Sequence, residues 1–246
     1  MNYFIDLLPN SNSIEKTDSL FENEDNIIFN IYVKQLPSMN IHKELYYDLE
    51  EALKVVQKLK KQNKKINLIF DTFCFGNKEF TEKGKEKFEI LDKFLDLKID
   101  FVTITNNFFF NYIKRRHKEC KVIISEYSDI TNIQKIDRFL NDMKADGVKL
   151  DIKLIKDLKQ MQNIKENFDV NSIHINVNKE FYEEDIFKDA INNSLSHYIE
   201  DEEWDKVEKT LEIYEKDNKN KKKLLLKAEE YEKLKEMGFI NFWYSY

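Results

Sequence analysis

The chain has 246 residues, of which 41% are hydrophobic and 35% are charged, as is typical of a soluble globular protein with a substantial core. Its net charge of −6 argues against a general nucleic-acid-binding surface, and its longest apolar stretches are too short to cross a bilayer. Residues 1–6 lack the basic and apolar regions of a signal peptide, so we expect a cytoplasmic protein that contacts neither membrane nor nucleic acid.

The chain has two cysteines, Cys74 and Cys120, which lie far apart and form no Cys-x-x-Cys pair. This spacing argues against a disulfide scaffold and against a self-contained zinc or iron–sulfur site. Neither a GxGxxG nor a GxxxxGK[ST] motif is present, which argues against a nucleotide-binding Rossmann or P-loop site, and no HExxH-type spacing indicates a metal. We therefore predict no cofactor and no metal.

Segments with strand-like and helix-like patterns alternate along the chain. The strand-like segments are residues 3–8, 27–33, 66–70, 101–105, 121–125, 147–152, 172–177 and 240–245. The helix-like segments are residues 45–62, 81–97, 107–118, 131–145, 155–168, 183–216 and 224–237. Thr81 is a predicted N-cap, and Gly238 is the predicted stop of the last helix.

Eight strands with helices between all but the first pair are typical of a closed parallel barrel of the triosephosphate-isomerase type. We predict one α/β domain over residues 1–246, a TIM-type eight-stranded parallel barrel that allows irregularities. An open doubly wound sheet is the alternative.

The stretch at residues 66–80, INLIFDTFCFGNKEF, changes from an apolar strand into a polar loop. This loop contains one of the four glycines of the chain. In α/β folds the chemistry is placed in the loops that follow the strands. Asp71 and Cys74 lie in this loop. Because no sequence signal pairs Cys74 with a histidine, a packed thiol is favoured there over a nucleophile.

Polar residues follow most of the predicted strands, at the end where such a barrel has its site. They are Lys34, Asp71, Cys74, Asn106, Glu126, Asp151 and Asn178. Alternation in the seventh strand places His174, Asn176 and Asn178 on the face toward the barrel axis. Asp71, Glu126 and Asp151 could supply a general acid and base or bind a hard cation. For any single one of these residues, the alternative is that it is polar only because the end of its strand is exposed to solvent.

Three further features have mainly structural interpretations. The basic cluster at residues 114–118 is interpreted as a solvated helix end rather than a phosphate site, because cations suit a helix C-terminus. Cys120 precedes the fifth strand, at the opposite end of the barrel. The aromatic tail at residues 239–246 fits a buried last strand better than a contact surface.

Four stretches resemble the collagenase-like U-32 peptidase family. The residues at 74–81, CFGNKEFT, are similar to the segment CFGNREFT of that family, and Leu36-Pro37-Ser38 resembles its short LPS segment. Residues 102–106 resemble its strand that ends in asparagine, and residues 224–246 resemble its late helix and strand. The resemblance spans most of the chain and implies a barrel.

Members of that family typically carry the motif Asn-x-x-Cys-x-x-x-Cys-Pro-x-Arg, and both of its cysteines are absent here. Asn178, Asn193 and the pair Ser196-His197 keep its register, whereas Phe181 and Asp185 stand at the cysteine positions, Ile186 at the proline and Lys188 at the arginine. Relatives use these cysteines to hold an iron–sulfur cluster for hydroxylation of RNA or quinone precursors. Because thiolates are the ligands of such clusters, the resemblance implies no cluster here.

Three functions remain open. The first is a cluster-less, hydrolase-like or pseudoenzyme barrel that binds or processes a peptide or small ligand. The second is a non-catalytic partner subunit or scaffold, and the third, by family analogy, is an RNA-modification protein. For the first function, the candidate catalytic residues are Asp71, Glu79 and His197. The candidate ligand-binding residues are Cys74, Asn77, Asn106, Glu126, Asp151, His174 and Asn178.

Overall fold

A computed structural model describes residues 1–9, 26–40, 42–72, 81–178, 181–182, 188–218 and 223–244. Eight strands form its centre: β1 Asn2–Asp6, β2 Asn26–Val33, β3 Lys65–Phe70, β4 Phe101–Ile104, β5 Lys121–Ile124, β6 Gly147–Lys149, β7 Ile173–Asn176 and β8 Asn241–Tyr244. Each lies within or close to one of the predicted strand segments.

The strands close into a barrel in which all neighbours run parallel. Each strand pairs with the next along the chain, and β8 pairs with β1, where Phe4 lies opposite Trp243. Because β1 has parallel partners on both sides, the sheet has no free edge. The predicted TIM-type barrel is therefore confirmed, and the open doubly wound sheet is excluded.

Helices surround the barrel. They are α1 Leu49–Lys61, α2 Glu82–Asp96, α3 Asn107–Arg116, α4 Ile133–Asp137, α5 Ile152–Ile155, α6 Leu158–Asn167, α7 Lys188–Glu200, α8 Trp204–Asn218 and α9 Ala228–Glu236. As predicted, α2 follows Thr81, and Gly238 beyond α9 has a φ of 96°. No helix in the described part of the chain combines the length and apolar character that a membrane crossing needs.

Some predicted elements differ in detail. The helix predicted at 183–216 is two helices, α7 and α8, because the chain turns at Glu202, whose φ is 57°. The strand predicted at 147–152 ends at Lys149, since the Asp151 side chain starts the turn of α5 by accepting a hydrogen bond from the Lys153 amide. Residues Tyr46–Tyr47, predicted as helix, pair with the end of β2 instead.

Alternate residues of the strands enter two different environments. Outward residues such as Phe29, Ile31 and Leu68 pack in the apolar layer beneath the helices. Inward residues such as Phe4, Ile28 and Trp243 form a second cluster, which residues of α7 and α8 extend. In the predicted last strand, Phe242 and Trp243 are buried, as the aromatic tail was expected to be.

Candidate functional site

The barrel interior is unusually polar on the side of β1 to β4. Asn30 donates to Asp6 Oδ1 over 2.9 Å, Asn67 donates to Asn30 Oδ1 over 2.9 Å, and Thr103 donates to Asn67 Oδ1 over 3.0 Å. Tyr32 adds a second donor to Asp6, at 2.8 Å. We call Asp6, Asn30, Asn67 and Thr103 the β1–β4 network. The β-sheet register places Asp6 opposite Asn30 and Asn30 opposite Asn67, so each hydrogen bond spans neighbouring strands.

Asp71 follows β3 and lies buried at the C-terminal end of the barrel. Its Oδ1 accepts hydrogen bonds from the Ser38 hydroxyl, at 2.6 Å, and from the Met39 amide, at 3.3 Å. Its Oδ2 accepts from the Ser125 hydroxyl at 2.8 Å. The hydrogen bond from Ser38 thus joins the LPS segment, which carried part of the family resemblance, to the residue that follows β3.

Glu126 follows β5 and lies beside Asp71. Its Oε2 is 3.1 Å from Lys149 Nζ and 3.1 Å from Ser125 Oγ, and its Oε1 accepts from Asn176 Nδ2 at 3.1 Å. The side chains of Glu126 and Lys149 are only 2% and 7% exposed, so this is a buried ion pair. Lys149 Nζ also lies 4.0 Å from the centre of the Trp243 ring. We call Asp71, Ser125, Glu126, Lys149 and Asn176 the mouth cluster.

The Ser125 hydroxyl has more acceptors near it than it can serve. It carries one hydrogen, yet its oxygen lies within hydrogen-bond distance of Asp71 Oδ2 and Glu126 Oε2. Only one of these contacts can be a hydrogen bond from serine while both carboxyl groups are ionised. Among the described residues, the mouth cluster also holds two carboxyl groups against one ammonium, so its acidic groups outnumber its cations.

Asn176 leaves a second unsatisfied group in the mouth cluster. Its amide nitrogen must face Glu126, because the carboxylate only accepts hydrogen bonds. Its Oδ1 consequently faces away from Glu126, is buried, and has no hydrogen-bond partner among the described residues. Buried polar atoms are rarely left unpaired in folded proteins, and those that are call for an explanation.

His174 is held next to the mouth cluster as a neutral imidazole. Its Nδ1 accepts a hydrogen bond from Trp243 Nε1 at 3.0 Å. Burial, together with the nearby Lys149 charge, lowers the pKa of His174 to about 3. Gly147 lies against the ring: a Cβ at that position would be 2.5 Å from His174 Nε2. Glycine at the start of β6 therefore makes room for the histidine.

The mouth is covered by α7 and by the segment after β2. Ser196 of α7 lies 3.1 Å from the Met39 sulfur, and Leu195 and Ile199 are buried in the interior cluster. The Tyr46 hydroxyl oxygen lies 3.0 and 2.8 Å from the carbonyl oxygens of Ser38 and Asn40, and its single hydrogen is donated to one of them. Burial and, secondarily, the Asp71 charge raise the pKa of Tyr46 well above its usual value, so it stays a neutral donor.

The residues predicted for the site are distributed over several places. Asp71 and Glu126 belong to the mouth cluster, and His174 lies beside it. Asn106 and Asp151 cap α3 and α5 by accepting from the amides of Phe108 and Lys153, so both have a local structural role.

Asn178 and His197, which were also predicted for the site and are described by the structure, are not members of the mouth cluster. Asn178 is exposed, and His197 is half-buried on α7, where its side chain forms no hydrogen bond or ion pair with the described residues. Cys74, Asn77 and Glu79 lie outside the described residues. Lys34, also at a strand end, pairs with Asp48 at 3.0 Å near the surface.

Sequence reasoning missed Ser38, Ser125 and Lys149. Lys149 carried a usable signal, because it stands between Val148 and Leu150 in a strand whose alternation turns it inward. A lysine at an inward position needs a counter-charge, which the sequence offered in Glu126. Serines give no comparable signal, since their type alone does not distinguish a buried donor from a surface residue.

The opposite end of the barrel contains a cleft of about 710 Å³ between the C-terminal ends of α2 and α3. The basic cluster at 114–118 lines part of it. His117 Nε2 lies 3.1 Å from Asp92 Oδ1, and Arg116 contacts the same carboxylate at 3.7 Å. The basic residues Lys114, Arg115 and Arg116 in the last turn of α3 complement the C-terminal end of that helix, as the interpretation of a solvated helix end implies. Burial raises the pKa of the neighbouring Cys120 thiol to about 12, so that thiol is unreactive.

The chemistry of the mouth cluster is that of oxygen acceptors, one ammonium and hydroxyl donors. Among the described residues, no group of three or more histidine, cysteine or carboxylate side chains is arranged to hold a metal. The cluster can accept hydrogen bonds through Asn176 Oδ1 and can move a proton among Asp71, Ser125 and Glu126.

Comparison with known proteins bears on the fold. No family model and no curated protein matches the sequence. Among solved structures the chain is similar to the U32 peptidase Mk0906, with a TM-score of 0.64, 16% identity, and coverage of 82% of this chain and 78% of that one. It also matches a muconate cycloisomerase from Azorhizobium caulinodans, with a TM-score of 0.44, 11% identity, and coverage of 72% and 46%, a likeness too low to support an argument.

The chain therefore has a U32-peptidase-like barrel fold. The family resemblance noted in the sequence is confirmed as a similarity of fold. At 16% identity the likeness carries no activity with it.

Proposed function

We propose that this protein is a divergent U32-peptidase-like barrel that binds a peptide or a small polar ligand at the C-terminal mouth, and that the mouth cluster is its binding site. One observation carries the proposal. The carboxyl groups of Asp71 and Glu126, from the ends of β3 and β5, meet at the Ser125 hydroxyl at 2.8 and 3.1 Å in a buried place. Parallel barrels hold their ligands at this end.

Stability alone is a poor reason for this arrangement. Removing two carboxylates and an ammonium from water costs several kcal/mol per ion, and a buried ion pair is often no better than well-packed apolar residues. A like-charged pair of carboxylates adds repulsion. Groups that are costly to the fold and converge at a barrel mouth are typical of functional sites, where perturbed charges serve binding or proton transfer.

If the site is catalytic, we propose that it transfers protons during a hydrolysis. The buried Asp71 carboxylate would take part, with Glu79 and His197 as the other predicted catalytic residues. The suggestion of peptide hydrolysis comes from the fold alone and is an analogy. No iron–sulfur cluster is part of the proposal, since Phe181 and Asp185 replace the thiolates that would hold it.

A scaffold role in a protein complex remains the alternative. The aromatic tail that could have formed a contact surface supplies little support for it, because Phe239, Phe242 and Trp243 are buried. RNA modification rests on family analogy, and the negative net charge of the chain argues against it.

Native mass spectrometry of the protein purified from its own host without oxygen tests the proposal. We expect a bound small molecule or peptide on the wild type, lost in Asp71→Asn and Glu126→Gln. Thr103→Val is the matched control, because Thr103 is equally buried but belongs to the β1–β4 network. A ligand retained in both mouth variants, or a bound protein with no ligand, would contradict the proposal.

A further inference from the structure

We propose that the mouth cluster binds the protonated primary amino group of its ligand, with Asn176 Oδ1 as the acceptor of one of its N–H groups. This inference rests on the proposed function, because it names the chemical class that the same site takes. The peptide or small ligand would therefore present a free amino end to the barrel.

The first observation is the unpaired acceptor. Asn176 is 2% exposed, its Nδ2 donates to Glu126 Oε1 at 3.1 Å, and its Oδ1 has no partner in the part of the chain that the structure describes. A buried carbonyl without a donor destabilises the folded protein, because its desolvation is not offset by a hydrogen bond. The site therefore calls for a group that donates a hydrogen bond, which excludes a ligand that meets Asn176 through an acceptor such as a carboxylate.

The second observation is the charge of the mouth cluster. Among the described residues it holds the carboxyl groups of Asp71 and Glu126 against the ammonium of Lys149, which already contacts Glu126 at 3.1 Å and the Trp243 ring at 4.0 Å. The neighbouring His174 has its Nδ1 occupied by Trp243 Nε1 and adds no charge as a neutral ring. A ligand that brings one positive charge would balance the cluster.

A primary ammonium meets both requirements at once. It carries one positive charge and three N–H donors, whereas water, a hydroxyl or an amide supplies a donor without the charge. Charge-assisted hydrogen bonds in a buried site are stronger than neutral ones. A guanidinium also carries charge and donors, but its planar fork suits bidentate carboxylates, and the Glu126 oxygens already have partners in Lys149, Ser125 and Asn176.

The test is isothermal titration of the full chain with glycinamide and with N-acetylglycinamide, which differ in the charged amino group. We expect glycinamide to bind at least tenfold more tightly, and Asn176→Leu to weaken glycinamide by tenfold or more. Thr103→Val, outside the mouth cluster, should leave the affinity unchanged. Equal affinity for the two probes would overturn the inference, and so would an Asn176→Leu protein that binds glycinamide like the wild type.

The probes also separate this inference from the proposed function. If N-acetylglycinamide or acetate binds as well as glycinamide and Glu126→Gln abolishes that binding, the site takes ligands but not through an ammonium, and only the inference fails. If no probe binds and no ligand accompanies the purified protein, both fail. The contrast between the two glycinamides on the wild type holds even if Asn176→Leu does not fold.

Discussion

The barrel interior contains two polar groups of similar burial that differ in how completely they are paired. In the β1–β4 network, each amide and hydroxyl passes its hydrogen bond to the next residue, and the chain of donors ends at the Asp6 carboxylate. In the mouth cluster, one serine hydrogen faces two carboxyl groups, and Asn176 Oδ1 has no donor. The β1–β4 network pairs its donors with its own acceptors, whereas the mouth cluster leaves acceptors to which a ligand could donate.

This difference shows that a polar barrel interior is not by itself evidence of a site. The β1–β4 network fills the barrel with cross-strand pairs whose register the sheet already imposes. Polar networks with every member satisfied rigidify a core. What distinguishes the mouth cluster is the remaining charge and the remaining acceptor.

The largest expected effect comes from breaking the buried ion pair. Lys149→Met should lower the free energy of unfolding by about 3–5 kcal/mol, because it leaves Glu126 buried without its counter-charge. The measurement is urea denaturation monitored by tryptophan fluorescence. The double variant Lys149→Met with Glu126→Gln is the control, and it should recover most of the loss. A Lys149→Met protein as stable as the wild type would show that the Lys149 charge does not stabilise the buried Glu126 carboxylate.

The next effect is a pH dependence that comes from His174. Its folded pKa of about 3 lies below the unfolded value near 6.5, so the unfolded chain binds the proton first and stability falls as pH falls below 6.5. Between pH 7.5 and pH 5 this residue should remove about 2 kcal/mol of unfolding free energy.

Denaturation of the wild type and of His174→Asn at both pH values isolates that contribution. Asparagine keeps an acceptor for Trp243 Nε1. The carboxylates are common to the two proteins, so their pH-dependent contributions to stability cancel when the two proteins are compared. We expect the variant to lose less stability than the wild type on acidification. The same loss in both proteins would mean that His174 is protonated equally in the folded and unfolded states.

A smaller effect should come from the β1–β4 network. Thr103→Val keeps the shape of the side chain but removes the donor to Asn67 Oδ1, which should cost about 1 kcal/mol of unfolding free energy. Ligand binding should be unchanged. If Thr103→Val weakens binding as much as a mouth variant does, the distinction between the two polar groups is wrong.

Much of the fold could be predicted from the chain alone. The alternation of strand and helix patterns and the order of eight strands define the barrel, because parallel strands joined by helices have few alternatives. The break at Glu202 and the extended Tyr46–Tyr47 could not be predicted, since both depend on packing against distant elements. Local propensity is a weak guide where tertiary contacts decide.

The candidate site was only partly predictable. Asp71, Glu126 and His174 follow from their places at strand ends and on an inward face, whereas Asn106 and Asp151 share those places and cap helices instead. Spacing alone does not separate a cap from a site residue. Ser38 joins Asp71 from 33 positions away, a contact that only the closed barrel brings about.

The most direct test of the mouth cluster is Asp71→Asn, with stability and ligand binding measured on the same protein. An asparagine amide can donate to Ser125, which frees the serine hydrogen for Glu126 and removes the like-charge contact. We predict that unfolding free energy stays equal or rises by about 1 kcal/mol while ligand binding is lost, as expected where a site trades stability for function. A variant that loses stability and keeps its ligand would show that Asp71 serves the fold, and would contradict the account.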